Sequence, residues 1–234
     1  MRPPASLTRF GRDRRGIAVV EFSLIFPILL ALSAGIFEYS SFVRQSRQLT
    51  DTANSIAEIL AAGSDNTVNY TDLHYAYDSA MLTFPKVLSD STRRGIAWSR
   101  DITISLAGVS FTASVNGCTA NCTYVANINW TGAAAERACS THPNSASNTS
   151  APSAGTLPAS LFTPVASPQG GNGPPLYVVV ADVTYTWTPS VFTGLLGVVV
   201  MKRSSYINPR YVSALKYQAV SGDDAFGKAC PGYS

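Results

Sequence analysis

The chain has 234 residues, of which 46% are hydrophobic and 13% charged, where soluble domains usually carry about 25% charged residues. Low charge together with ten phenylalanines and eleven tyrosines excludes a disordered chain. The net charge of +3 belongs to the first residues: Arg2, Arg9, Arg12, Arg14 and Arg15 face Asp13 alone, whereas from Ile17 onward twelve basic groups meet thirteen acidic ones. A body that close to neutral has no clustered basic face, which excludes nucleic acid as a partner.

After the arginine-rich head comes one long apolar segment, Ile17 to Val43, charged only at Glu21 and Glu38. As a helix, Phe22–Val43 reaches roughly 33 Å, about the thickness of a bilayer's hydrocarbon core. A signal peptide would have an apolar region of about 7–15 residues and a small-x-small cleavage site. Here the apolar character runs on past Leu32-Ser33-Ala34, so a single membrane span is the expectation. Five arginines before the span outnumber Arg44 and Arg47 after it, which puts the N-terminus in the cytoplasm and the body on the exported side. Pro27 deletes one helix hydrogen bond and is expected to bend the helix near Glu21–Phe26. A carboxylate at Glu21 costs on the order of 2.5–3.5 kcal/mol in apolar surroundings, which calls for a partner; the alternative is snorkelling toward Arg14 and Arg15.

Around that glutamate the chain reads Arg14-Arg15-Gly16-Ile17-Ala18-Val19-Val20-Glu21-Phe22. This resembles the cleavage site of a type IV prepilin: a basic leader, a glycine, and glutamate at the fifth mature position. With Pro27 and Glu38-Tyr39, it is similar to the TadE/TadF group of pseudopilins of the tight-adherence (Flp) pilus system. Val183-Thr184-Tyr185-Thr186-Trp187-Thr188-Pro189 and Ser205-Tyr206-Ile207-Asn208-Pro209-Arg210-Tyr211 resemble that family's closing strands, with Asn208 where a basic residue is usual. The resemblance implies a prepilin peptidase cutting between Gly16 and Ile17, other pilins or pseudopilins and the Tad assembly platform as partners, and the bacterial inner membrane as location. Glycine before the scissile bond presents no side chain to the peptidase. The cut creates an amine at Ile17, one helical turn from Glu21, where each charge neutralises the other within or between subunits and sets the register of assembly. Phe22 completes the assembly motif.

Beyond Val43, Leu49, Ala53, Ile56, Ala57 and Leu60 recur at helical spacing, predicting one helix from about Ala18 to Ala62 with Gly63 as its stop. A second helix is expected over Tyr70–Phe84, capped by Thr71 and ended by Pro85. Period-two patterning then predicts strands around Ile102–Leu106, Tyr124–Trp130, Leu176–Trp187 and Leu196–Tyr206. Between them, residues 140–175 are rich in Ser, Pro and Gly and read as a long flexible loop. Four cysteines on the exported side, Cys118, Cys122, Cys139 and Cys230, favour two disulfides over a metal site. Three pairings are possible; the favoured one joins Cys118 to Cys122 and Cys139 to Cys230.

Gly222–Lys228 has phosphate-loop spacing but continues Ala229-Cys230-Pro231, which denies it the serine or threonine and the helix that phosphate binding needs. Neither His74 nor His142 stands in a nucleophile context. The expectation is therefore an α+β protein without enzymatic activity, cofactor, metal or small-molecule substrate. Its parts are a basic leader (1–16), a transmembrane helix (17–43) extended into the periplasm, and a periplasmic antiparallel-sheet domain (44–234) on which that helix packs. Two functions compete: a cleaved minor pseudopilin that assembles through its N-terminal helix, and an uncleaved, membrane-anchored periplasmic binding or scaffold protein. The Gly16/Glu21 pair favours the first.

Overall fold

The computed structural model describes residues 15–113, 124–133, 136–137, 139, 177–191 and 197–233. The leader before Arg15, the 140–175 segment, His142, Cys118 and Cys122 lie outside the described residues. The chain divides into two compact units, Met1–Arg44 with Thr188–Gly197, and Gln45–Trp187 with Val198–Ser234.

Helix α1 (Arg15–Ala61) is continuous through Pro27 and contributes to both units. In the first unit its side chains from Val19 to Phe37 are almost all exposed, the apolar ones included. In the second unit Leu49, Ala53, Ile56, Ala57 and Leu60 are all buried, as their spacing predicts. Thr52, also buried, satisfies its hydroxyl by donating to the Gln48 carbonyl at 2.8 Å. The helix stops just before Gly63, as predicted, although Gly63 has no left-handed φ. The last turn closes through Ala62 N–H to Glu58 O and Gly63 N–H to Leu60 O.

The second unit continues with β1 (Thr67–Val68), α2 (Tyr70–Asp78), α3 (Ala80–Thr83), α4 (Lys86–Arg94) and α5 (Trp98–Asp101). Two expectations are corrected here. The cap of α2 is Asn69, whose Oδ1 accepts from the N–H groups of Thr71 and Asp72 while Asp72 accepts from the Asn69 N–H. This reciprocal box satisfies donors at the helix start that a Thr71 cap would leave open. The single predicted helix is also two, separated at Ser79, whose hydroxyl donates to the Ala76 carbonyl at 2.6 Å. Helix α4, unpredicted, ends in a left-handed Gly95 (φ 65°), with Ile96 N–H reaching back to Ser91 O.

Strands β2 (Ile102–Ala113), β3 (Tyr124–Gly132), β4 (Tyr177–Trp187), β5 (Val199–Ile207) and β7 (Gly227–Ala229) form an antiparallel sheet in the order β5-β4-β2-β3-β7. A short β6 (Lys216–Tyr217) pairs in parallel with β1. The sheet is apolar on both faces. One face carries Ile102, Ile104, Leu106, Val183 and Tyr185 and meets the helices: Arg203 Nη2 donates to Ser46 of α1, and Tyr185 packs edge-on against Phe84. The other face holds a second core of Ala107, Val109, Phe111, Ile128, Val178, Val180 and Cys230. Cys139 is disulfide-bonded to Cys230 beside that core.

Two buried carboxylates on the helix side are paired. Asp90, its side chain 4% exposed, accepts from Lys86 at 3.0 Å, Arg93 at 3.3 Å and the Tyr185 hydroxyl, and Asp101 pairs with Arg94. Trp130 Nε1–H donates to the Tyr177 hydroxyl at 2.7 Å, and that hydroxyl donates to the Leu215 carbonyl at 2.7 Å. This network needs Gly108: a Cβ there would run into the Tyr177 hydroxyl and the Trp130 Nε1, and sit 2.7 Å from Trp130 Cε2.

Gly108→Ala should accordingly lower the unfolding free energy by about 1–3 kcal/mol, the usual cost of overpacking, as read by chemical denaturation. Burial, above all, raises the Tyr177 and Tyr185 phenols above their ordinary value of 10.0, and in Tyr185 the Asp90 carboxylate adds to it. The folded state thus holds those protons more tightly than the unfolded chain. The stability they confer is complete below pH ~10 and lost as pH rises past it, so thermal melts at increasing pH should show an alkaline fall in Tm. The Cys139–Cys230 bridge closes a separation of 91 residues. Its replacement by two serines should destabilise the domain by about 2–5 kcal/mol and leave the helicity of the apolar half of α1 unchanged by circular dichroism.

Candidate functional site

Gly16 and Ile17 lie in the first turn of α1, and Glu21 stands one turn further on, exposed between Val20 and Phe22, which are 65% and 63% exposed. Phe22 stacks on Phe26, ring centroids 5.4 Å apart. The other polar side chains on this stretch are turned back on the helix. Ser23 donates to the Val20 carbonyl at 2.9 Å and Ser33 to the Leu29 carbonyl at 2.8 Å, which removes their hydroxyls from any apolar surroundings. Glu21 has no such recourse, and none of the ion pairs among the described residues involves it. An exposed carboxylate flanked by exposed apolar side chains is suited to meeting a cation brought by another group.

The second glutamate of α1 behaves in the opposite way. Glu38 is 3% exposed, and its Oε1 accepts from the Ser190 hydroxyl at 3.1 Å and from the Val191 N–H. All three residues belong to the first unit, so the segment after β4 is tied to α1 at this carboxylate. Sequence reasoning noted Glu38 only beside Tyr39. Its partners lie some 150 positions away, and the one local signal was a charge at the border of an apolar run.

Residues 16–58 match the family model of TadE-like proteins. The match begins at the glycine of the cleavage-like motif and takes in the apolar half of α1 and most of its amphipathic half. It is consistent with a TadE-like protein of the Tad/Flp pilus system. The match ends before the sheet, so the closing-strand resemblance lies outside it. No curated protein and no solved structure matches the chain. The helix that the TadE-like segment largely covers, Val19–Ala61, has an 18-residue window of mean hydropathy 2.2 and is long and apolar enough to cross a membrane.

The remaining sequence candidates fall into structural roles. In Gly222–Lys228, Asp223 and Asp224 accept from the N–H groups of Ala225 and Phe226, and the lysine lies in β7, so the segment is a capped turn entering a strand. His74 is held by the same turn: its Nε2 is 2.7 Å from Asp224 Oδ2 and its ring stacks on Phe226 at 3.9 Å. That hydrogen bond is the main reason the Asp224 carboxyl is held below its ordinary value. An open cavity of about 540 Å³ beside the end of α1 is lined by Leu60, Gly63, Thr67, Tyr75 and Leu215, with Asp65 and Asp72 among its polar walls. Among the described residues no three His, Cys, Asp or Glu side chains cluster as metal ligands would.

Proposed function

We propose that this chain is a minor, pseudopilin-like structural component of Tad/Flp pilus biogenesis, without enzymatic activity. The N-terminal half of α1 spans the inner membrane with the arginine-rich leader in the cytoplasm. A prepilin peptidase removes the leader after Gly16, and the mature subunit joins other pilins or pseudopilins at the Tad assembly platform through that helix. The observation that carries this reading is the conjunction of the TadE-like match, which opens at Gly16, with a carboxylate at Glu21 exposed between apolar side chains. An uncleaved periplasmic binding or scaffold protein has no use for either feature.

The chemistry follows from the new N-terminus. Cleavage converts the Gly16–Ile17 amide into a free α-amine one turn from Glu21. In the bilayer, two opposite charges at that spacing on one subunit, or amine to carboxylate between neighbours, remove the cost of each charge alone. Between subunits the pair sets axial register, because only one stagger brings the groups together.

Two substitutions separate processing from assembly. Gly16→Leu should leave the leader attached, since a bulky side chain obstructs the peptidase; mass spectrometry of the membrane fraction reads the uncut chain. Glu21→Ala should be cut normally at Ile17 yet accumulate as mature monomer. Losing one partner of a buried charge pair costs about 3–5 kcal/mol, roughly a several-hundredfold shift or more per subunit contact. Normal pilus numbers in Glu21→Ala cells would remove the register role, and an intact N-terminus in the wild-type protein would remove the pseudopilin reading altogether.

A further inference from the structure

We infer that Thr188–Val191 is a second membrane-contacting element, held by Glu38 at the exported face of the bilayer with Val191 turned to the phospholipid headgroup–acyl boundary. The inference rests on α1 being the membrane span. Along α1 that boundary is bracketed by side chains. Ile36 and Phe37 are the last large apolar residues open to the surroundings, 68% and 62% exposed. Tyr39, 70% exposed, is an amphipathic ring of the kind that marks membrane interfaces. Arg44 and Arg47 are exposed beyond it. From Phe37 to Arg44 the helix rises roughly 10 Å, so Glu38 lies where hydrocarbon gives way to headgroups.

A bare carboxylate at that depth is unfavourable, and here it is 3% exposed and supplied with donors by Ser190 and the Val191 backbone. The same bonds fix the depth of the segment that makes them. Val191 sits beside the carboxylate with its own side chain 54% exposed. The sequence suits such surroundings: from Val183 through Met201 there is not one charged residue. A solvated turn between strands ordinarily carries charge, whereas a turn resting on lipid excludes it. The Ser190 hydroxyl and Val191 N–H, polar groups that would otherwise oppose this placement, are the two that Glu38 accepts.

The test uses the full-length chain in vesicles of phosphatidylethanolamine and phosphatidylglycerol, with a photoreactive benzophenone amino acid at one position at a time. A probe at Val191 should form lipid adducts by mass spectrometry at a yield comparable to one at Leu30, within the span, and well above one at Tyr75, which is 73% exposed on the second unit. In a Glu38→Leu chain the Val191 adducts should fall about tenfold, the ratio expected on losing hydrogen bonds to a charged group, with Leu30 unchanged. Glu38→Gln, which keeps an acceptor, should retain most of the yield. Lipid adducts at Leu30 without any at Val191, equal labelling at Val191 and Tyr75, or cross-links at Val191 to a second copy of the chain would each overturn the inference. Absence of lipid adducts at Leu30 as well would instead remove the membrane-span reading beneath it.

Discussion

The structure depends on one helix meeting two different surroundings without a break. Apart from the one bond that Pro27 cannot donate, backbone hydrogen bonding is satisfied within the body of α1, the condition for crossing hydrocarbon, where an unmet N–H or C=O has no water to turn to. Its side chains then divide the work. From Val19 to Phe37 they are almost all exposed and, apart from Glu21, Ser23 and Ser33, apolar, and no stripe is set apart for a protein core. From Leu49 to Leu60 only one face is apolar, and that face is buried. The change from all-round to one-sided hydrophobicity is the pattern of a helix that passes from a lipid-like setting into a protein core.

Within this scheme the carboxylates are the informative groups, because each must be matched with donors or cations wherever water is scarce. Asp90 and Asp101, buried beneath the helices of the second unit, are met by lysine, arginine and tyrosine. Glu38 is met by a hydroxyl and a backbone amide brought from far along the chain. Glu21 differs from all three in standing exposed between apolar side chains. Three matched carboxylates make the fourth conspicuous, and a function in which a new N-terminal amine is created one turn away gives it a counterpart.

The sheet follows a different rule. It is buried on both faces at its centre, so the first half of β4, Tyr177–Ala181, is a continuous apolar run, whereas its second half keeps the alternation of a strand with one buried face. Packing both faces this tightly has local consequences. Gly108 is required because Trp130 and Tyr177 share the space above it. Gly132 plays a similar part for Leu73 of α2, whose Cδ1 would lie 2.6 Å from a Cβ at that position. The disulfide then ties Cys139, after β3, to Cys230, after β7, beside the core on the face away from the helices.

The sequence by itself determined whatever depends on near neighbours along the chain. The long helix, its apolar and amphipathic halves, the four principal strands and the Gly16/Glu21 spacing were legible, because residues three, four or two positions apart decide them. Some local features were misjudged through closely competing local chemistry: the Asn69 cap one step ahead of Thr71, the break at Ser79, and α4, whose buried face includes Asp90 and Ser91 and so hides its amphipathic pattern. Only the tertiary structure decided which strands are neighbours, that Cys139 meets Cys230, that Gly108 makes room for a tryptophan and a tyrosine, and that Glu38 has partners some 150 residues away. Those contacts follow from how chain segments far apart in sequence pack and satisfy one another's polar groups, and no local period records that.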